Sequence, residues 1–182
     1  MEVEYEASQG RRVNVIGAYW CAGVEEGRFV HEARARIPKD RTPGSHGLSC
    51  EDVGVLDAQA LLGFVWHEVG GKPVAAPEGW KRQRPAVVVL DNYSVHKSKL
   101  VQEQMAALQE ADIHLVYPSS YSPELSEMEP IWKALKYHEM QRRSYGDLAV
   151  LLKAVREALA TKGQALHRPA HAESASLSLC AA

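Results

Sequence analysis

The feature that most constrains this chain is one short run, Ala86-Val87-Val88-Val89-Leu90. Pro85 precedes it and Asp91-Asn92 follow, so five apolar residues sit between a helix breaker and two turn formers. A continuous apolar run of this length, rich in β-branched residues, predicts a strand buried on both faces. Such strands are central and parallel, and they need helices on each side of the sheet. The rest of the pattern is built around that demand.

Val13–Tyr19 is β-rich and reads as a strand, and Arg28–Arg36 alternates as a second, with Gly23 and Gly27 framing the hairpin turn. Pro38–Gly47 is a loop. Leu61, Leu62, Val65, Trp66 and Val69 make one apolar face, which predicts a helix over 56–69 ended by Gly70-Gly71. Residues 72–85, with three prolines, are a loop. A helix is predicted over 97–110, with Leu100, Val101, Met105 and Leu108 inward, and then a strand over 113–117. Two helices follow, over 126–140 and 145–161. Ser144 and Asp147 have capping-box spacing for the second, whose core face is Leu148, Leu151, Leu152, Val155 and Leu159. Beyond Gly163 the pattern dissolves, and 163–182 reads as a disordered tail. The order predicts an α/β layer fold with an antiparallel hairpin and two parallel crossovers.

Composition narrows the class. With 46% apolar and 24% charged residues in 182, the chain is globular. Lys+Arg number 21 against 23 Asp+Glu, so any basic surface is local. Three widely spaced cysteines form no disulfide framework and fit a reducing compartment. The acidic start, Met1–Glu6, lacks a signal-peptide core, and no apolar stretch is long enough to span a bilayer. A soluble, cytoplasmic protein without membrane association is expected. No Walker loop, nucleophile elbow, glycine-rich dinucleotide motif or zinc-protease helix is present.

Two stretches could carry chemistry. Leu90-Asp91-Asn92-Tyr93-Ser94-Val95-His96 puts an acid at the carboxyl end of the central strand, where open α/β sheets place ligand sites. Asp91 and Asn92 are equally good turn or cap residues before the helix at Lys97. Tyr117–Trp132 leaves a strand, crosses a Pro/Ser loop and opens a helix. There Glu129 could be a ligand, or could close a capping box with Ser126. Both pairs of readings stand open on local sequence alone.

Leu90-Asp91-Asn92 with His96, followed by Tyr121-Ser122-Pro123-Glu124-Leu125-Ser126-Glu127-Met128-Glu129 with Trp132, Leu135 and Lys136, closely resembles the DDE endonuclease domain of IS630/Tc1/mariner superfamily transposases. Arg11–Ala18 resembles that domain's second strand, and the likeness runs to about Ala160. The resemblance implies an RNase-H-like fold, a mixed sheet flanked by helices, over 11–162. It implies metal-dependent DNA cleavage and strand transfer, with Asp91 as second acid and Glu129 as third, both catalytic and metal-binding. Two hard cations, Mg²⁺ or Mn²⁺, held roughly 3.5–4 Å apart by carboxylates, would activate water and stabilise the leaving oxygen. Asn92 and His96 take supporting positions near the site. Lys133 and Lys136 follow Glu129 at i+4 and i+7, one helical stripe, and could contact phosphates or simply form a solvated face. Implied partners are DNA at transposon ends, a homo-oligomer, or a full-length transposase.

The sequence departs from that family in three ways. The first acid and its strand have no match: residues 1–10 hold only Glu2, Glu4 and Glu6, so an N-terminally truncated domain with its first strand missing is expected. The upstream helix-turn-helix region has no counterpart. Ser126-Glu127 replaces the usual Asn-Pro. Unpaired strand edges and an incomplete metal site would follow, leaving the chain impaired alone or acting as a non-catalytic remnant that binds nucleic acid or a partner.

Overall fold

The computed structural model describes residues 11–119, 128–140 and 145–167. Its elements follow the predicted order. Strands β1 (Arg12–Tyr19) and β2 (Phe29–Arg36) form an antiparallel hairpin in which Arg12 faces Arg36 and Tyr19 faces Phe29. Gly23 and Gly27 in the turn adopt φ of 87° and 86°, the left-handed region that glycine enters without strain. Period two sorts this hairpin into two unlike faces. Val13, Val15, Tyr19, Phe29, Ala33 and Ala35 join one core cluster. The other face begins with Arg12, Asn14, Arg34 and Arg36, then turns apolar at Ile16, which joins a second cluster.

The loop after a short 3-10 turn, Pro43–His46, closes the outer edge of β2. Ala35 donates its N–H to Asp52 O (2.8 Å), Gly54 donates to Ala35 O (3.1 Å), and Val53 bridges Ala35 in parallel. The Asp52 side chain fixes this loop. It accepts from Ser49 N (3.0 Å) and Ser49 Oγ (2.7 Å), and Arg156 Nη1 reaches it at 2.6 Å. The two Ser49 bonds, then the Arg156 guanidinium, hold its carboxyl down to about 2.

Helix α1 (Ala58–Phe64) starts at Asp57, whose carboxylate accepts from Gln59 N and Ala60 N. It continues as a π turn, Val65–Val69, closed by Gly70 N donating to Val65 O at 2.7 Å. Gly71 then takes φ of 73° and ends the helix. Gly70 has a different reason to be glycine. A Cβ there would lie 2.5 Å from Trp66 O and 2.7 Å from Ile113 Cδ1. Strand β3 (Ala86–Val89) pairs in parallel with β4 (Ile113–Val116), joined by α2 (Lys99–Glu110), which Ser98 caps. Leu61, Leu62, Val65, Leu90, Val101, Leu108, Ile113 and Leu115 form the second cluster. Leu100, expected inward, is 41% exposed because it falls one position off the Val101/Leu108 stripe.

Helix α3 (Met128–Ala134) runs into a second π turn, Leu135–Glu139. Helix α4 (Leu148–Leu166) follows, and both lie on the β1–β2 hairpin. Ile131, Leu135, Leu148, Leu152 and Leu159 fill the first cluster. Trp132 is a core anchor there, its ring against Phe29 and so close to Gly17 that a Cβ would approach it to 2.9 Å. Asp147 is itself the cap of α4, accepting from Val150 N at 2.8 Å, rather than the far member of a box begun by Ser144, which lies outside the described residues. The helix carries through Gly163 to Leu166, so the expected tail boundary moves: its Ala-rich sequence is a good helix former. Residues 168–182 lie outside the described residues, as do 1–10.

The chain is mixed α/β, but among the described residues its strands form two two-stranded sheets, β1-β2 and β3-β4, rather than one. The expectation that β3 is covered on both faces is corrected. Ala86, Val88 and Leu90 face the second cluster, while Val87 and Val89 are 66% and 55% exposed. An apolar run demands cover on two faces, and among the described residues only one is supplied. Among the described residues β3 has one strand neighbour, β4.

Candidate active site at the carboxyl end of β3

Leu90 ends β3 firmly. Its side chain is buried and its N–H donates to Val116 O at 2.9 Å. The next residue, Asp91, therefore leaves the sheet at a fixed point. Its Oδ1 accepts from Tyr93 N at 3.0 Å, an Asx turn, and meets His96 Nδ1 at 2.7 Å. The tautomer that fits carries its proton on Nδ1. The Asp91 side chain is 69% exposed while that of His96 is only 19% exposed. The carboxylate thus faces solvent and its partner is tucked behind it. The Tyr93 ring stands edge-on to the imidazole, with centroids 5.9 Å apart.

Two further bonds fasten this turn to the end of β4. Asn92 Nδ2 donates to Pro118 O at 3.1 Å, and Tyr117 Oη donates to His96 O at 2.7 Å. Sequence reasoning singled out Asn92 and His96 but missed Tyr117. Its signal was available: a tyrosine ending one parallel strand lies beside the turn that leaves its neighbour. Asp91 does not cap the following helix, since Ser98 does. Of the two open readings, the turn is observed, at the strand end where a ligand site would sit.

Glu129 is the second residue of α3 and is exposed. Ser126, its alternative capping partner, and the Tyr121–Glu127 motif lie outside the described residues. Lys133 and Lys136 are also exposed, and Lys136 Nζ sits 5.6 Å from the Tyr137 ring centroid. The π turn beginning at Leu135 widens the helix there, so Lys136 does not continue the ideal stripe unchanged. Asp91 is carried by the second cluster's sheet and Glu129 by a helix of the first. The structure brings His96 onto Asp91. Among the described residues it assembles no group of three or more His, Cys, Asp or Glu side chains able to hold a metal.

Chemically, an exposed carboxylate held through one oxygen, beside an imidazole that orients it, is a hard-oxygen donor suited to Mg²⁺ or Mn²⁺. One such ligand fits a cation but does not complete a site.

Residues 74–151 match a family model described as DDE superfamily endonuclease. This segment of the chain is thus similar to DDE endonucleases, and it contains both Asp91 and Glu129. It begins in the loop before β3 and ends in the first turn of α4, so it draws on both core clusters. No curated protein matches the chain. No helix among the described residues is long and apolar enough to cross a membrane.

Proposed function

We propose that residues 11–162 are the catalytic domain of a transposase of the IS630/Tc1/mariner type, built on an RNase-H-like plan, that cleaves and joins DNA strands. The observation that supports this best is Asp91, fixed at the carboxyl end of a parallel strand within the segment similar to DDE endonucleases. Asp91 and Glu129 would hold Mg²⁺ or Mn²⁺. When bound, the cations supply an activated water or 3′-hydroxyl and stabilise the leaving oxygen. The chain's own residues have separable roles. His96 keeps one Asp91 oxygen engaged, which turns the other outward. Asn92 and Tyr117 hold the turn against β4, so the carboxylate does not drift. Lys133 and Lys136, both exposed, offer two cations to the phosphate backbone of a transposon end, with Lys136 displaced from the Glu129–Lys133 line by the π turn. A further carboxylate must come from beyond the described residues, from Glu2, Glu4 or Glu6 or from a partner chain.

A second reading is favoured by one observation: among the described residues no three-ligand group forms. On that reading the chain is a non-catalytic remnant that binds nucleic acid or a full-length transposase.

The test is Mn²⁺ titration by calorimetry, paired with supercoiled-plasmid nicking, on the wild type, Asp91→Asn and Glu129→Gln. The proposal expects Mn²⁺ binding and at most weak nicking by the wild-type chain alone, with both lost in Asp91→Asn. Binding without nicking favours the remnant. Nicking and binding untouched by either substitution would overturn the assignment of both carboxylates and return Glu129 to a helix-start role.

A further inference from the structure

The β1–β2 hairpin carries a charge arrangement that works against its own stability. Three register pairs share one face: Arg12 with Arg36, Asn14 with Arg34, and Ile16 with Glu32. Arg12 and Arg36 are therefore directly opposite in an antiparallel ladder, where like charges repel. The arginines around them are committed to the fold. Arg11 donates to Tyr145 O at 2.6 Å, Arg156 reaches Asp52, and Arg34 is paired with Glu32. Gly54 lets the Arg34 side chain lie down on its loop, since a Cβ there would come within 2.9 Å of Arg34 Cδ. Arg12 and Arg36 are exposed, and among the described residues neither side chain has an ion pair or hydrogen bond. Edge protection does not account for Arg36, because the loop at Asp52–Gly54 already closes that side of β2.

We infer that this face docks the phosphate backbone of DNA, with Arg12 and Arg36 as its two guanidinium forks and Arg34 and Asn14 beside them. Each guanidinium is a planar set of donors matched to phosphate oxygens. Opposite residues of such a ladder lie roughly 4.5–5.5 Å apart, so the two forks address neighbouring negative charges together. A bound polyanion turns their mutual repulsion into attraction to a shared partner. The face is an open strand surface rather than a concave pocket, which suits an extended polyanion better than a small ligand. Contacts of this kind position the duplex without reading its bases. The choice of DNA among polyanions rests on the function proposed above, but the surface itself does not involve Asp91 or Glu129.

Fluorescence anisotropy on the full chain, with a labelled random-sequence duplex and no divalent metal, tests it over a range of salt. The wild type should bind. Arg12→Gln with Arg36→Gln should weaken binding roughly tenfold or more and flatten the slope of log affinity against log salt by about 2. Lys153→Gln, which removes an exposed cation of α4, should change neither. Arg12→Glu separates binding from folding. It sets opposite charges across the strands, so Tm at low salt should hold or rise by about 2 °C while DNA binding falls roughly tenfold or more. A wild type that binds DNA, with affinity and slope unchanged in both arginine variants, would overturn the inference and leave the transposase reading standing. A wild type that binds no duplex overturns the inference and removes DNA from the proposed function. A fall in Tm for Arg12→Glu would show that the arginine serves the fold through a counter-charge within the chain, and overturns the inference as well.

Discussion

Asp52→Asn is the sharpest test of how the β2 edge is held. The carboxylate makes three bonds, to Ser49 N (3.0 Å), Ser49 Oγ (2.7 Å) and Arg156 Nη1 (2.6 Å). Arg156 in turn donates to Ala33 O, so the pair couples the loop, β2 and α4. Charged hydrogen bonds are worth about 1.5–3 kcal/mol each when shielded, and exposed ion pairs about 0.2–1 kcal/mol. The Arg156 side chain is 45% exposed and that of Asp52 is 23% exposed, so the lower range governs the ion pair. Asparagine keeps the shape and part of the bonding to Ser49. A loss of about 1–2 kcal/mol at neutral pH is expected. Its pH dependence has a definite sign. The folded carboxyl is lowered from 3.8 to about 2, so its contribution is complete above 3.8 and disappears as pH falls toward 2. Urea unfolding of both proteins at pH 7, 5 and 3 measures the difference. It should be constant from pH 7 to 5 and narrow by pH 3. A difference that is flat through pH 3, or absent at pH 7, would refute the reasoning.

Two other perturbations follow from packing. Leu108→Ala removes a fully buried side chain at the centre of the second cluster and should cost about 2–5 kcal/mol in denaturant unfolding. Two glycines in and just after the same helix should respond with opposite signs in thermal melts. Gly63→Ala meets nothing within 4 Å inside α1 and should stabilise by about 0.5–1 kcal/mol. Gly70→Ala meets the Trp66 carbonyl at 2.5 Å and should destabilise by about 1–3 kcal/mol.

Much of the fold was legible because its signals are local. The order of elements, the hairpin glycines and the Leu148/Leu152/Val155/Leu159 stripe all follow from period and turn chemistry. The π turns at Val65–Val69 and Leu135–Glu139 were not legible, since an extra residue in a helical turn leaves no mark on an apolar stripe of that length. The division into two sheets escaped for another reason. Whether Val87 and Val89 are covered depends on what lies across the sheet, and their own sequence carries no record of it. At the candidate site, the position of Asp91 could be inferred from strand and turn. The place of Tyr117 beside that turn was available from the strand order, but the His96 pairing was not, because it depends on how the turn folds back on itself.

The two core clusters differ in how they must assemble. The second is drawn mainly from one stretch, Leu61 to Leu115, so its contacts close short loops. The first joins the β1–β2 hairpin to helices that begin at Met128. Bridging the gap from Arg36 costs roughly 4 kcal/mol of loop-closure entropy before any contact offsets it. During synthesis the hairpin leaves the ribosome with Val13, Val15 and Phe29 uncovered. It then waits on the order of ten seconds for α4 to be made. Until then a core built from 61–115 can hold the hairpin only by Ile16, on its other face. The order of manufacture therefore makes the middle of this chain the template on which its two ends are brought together.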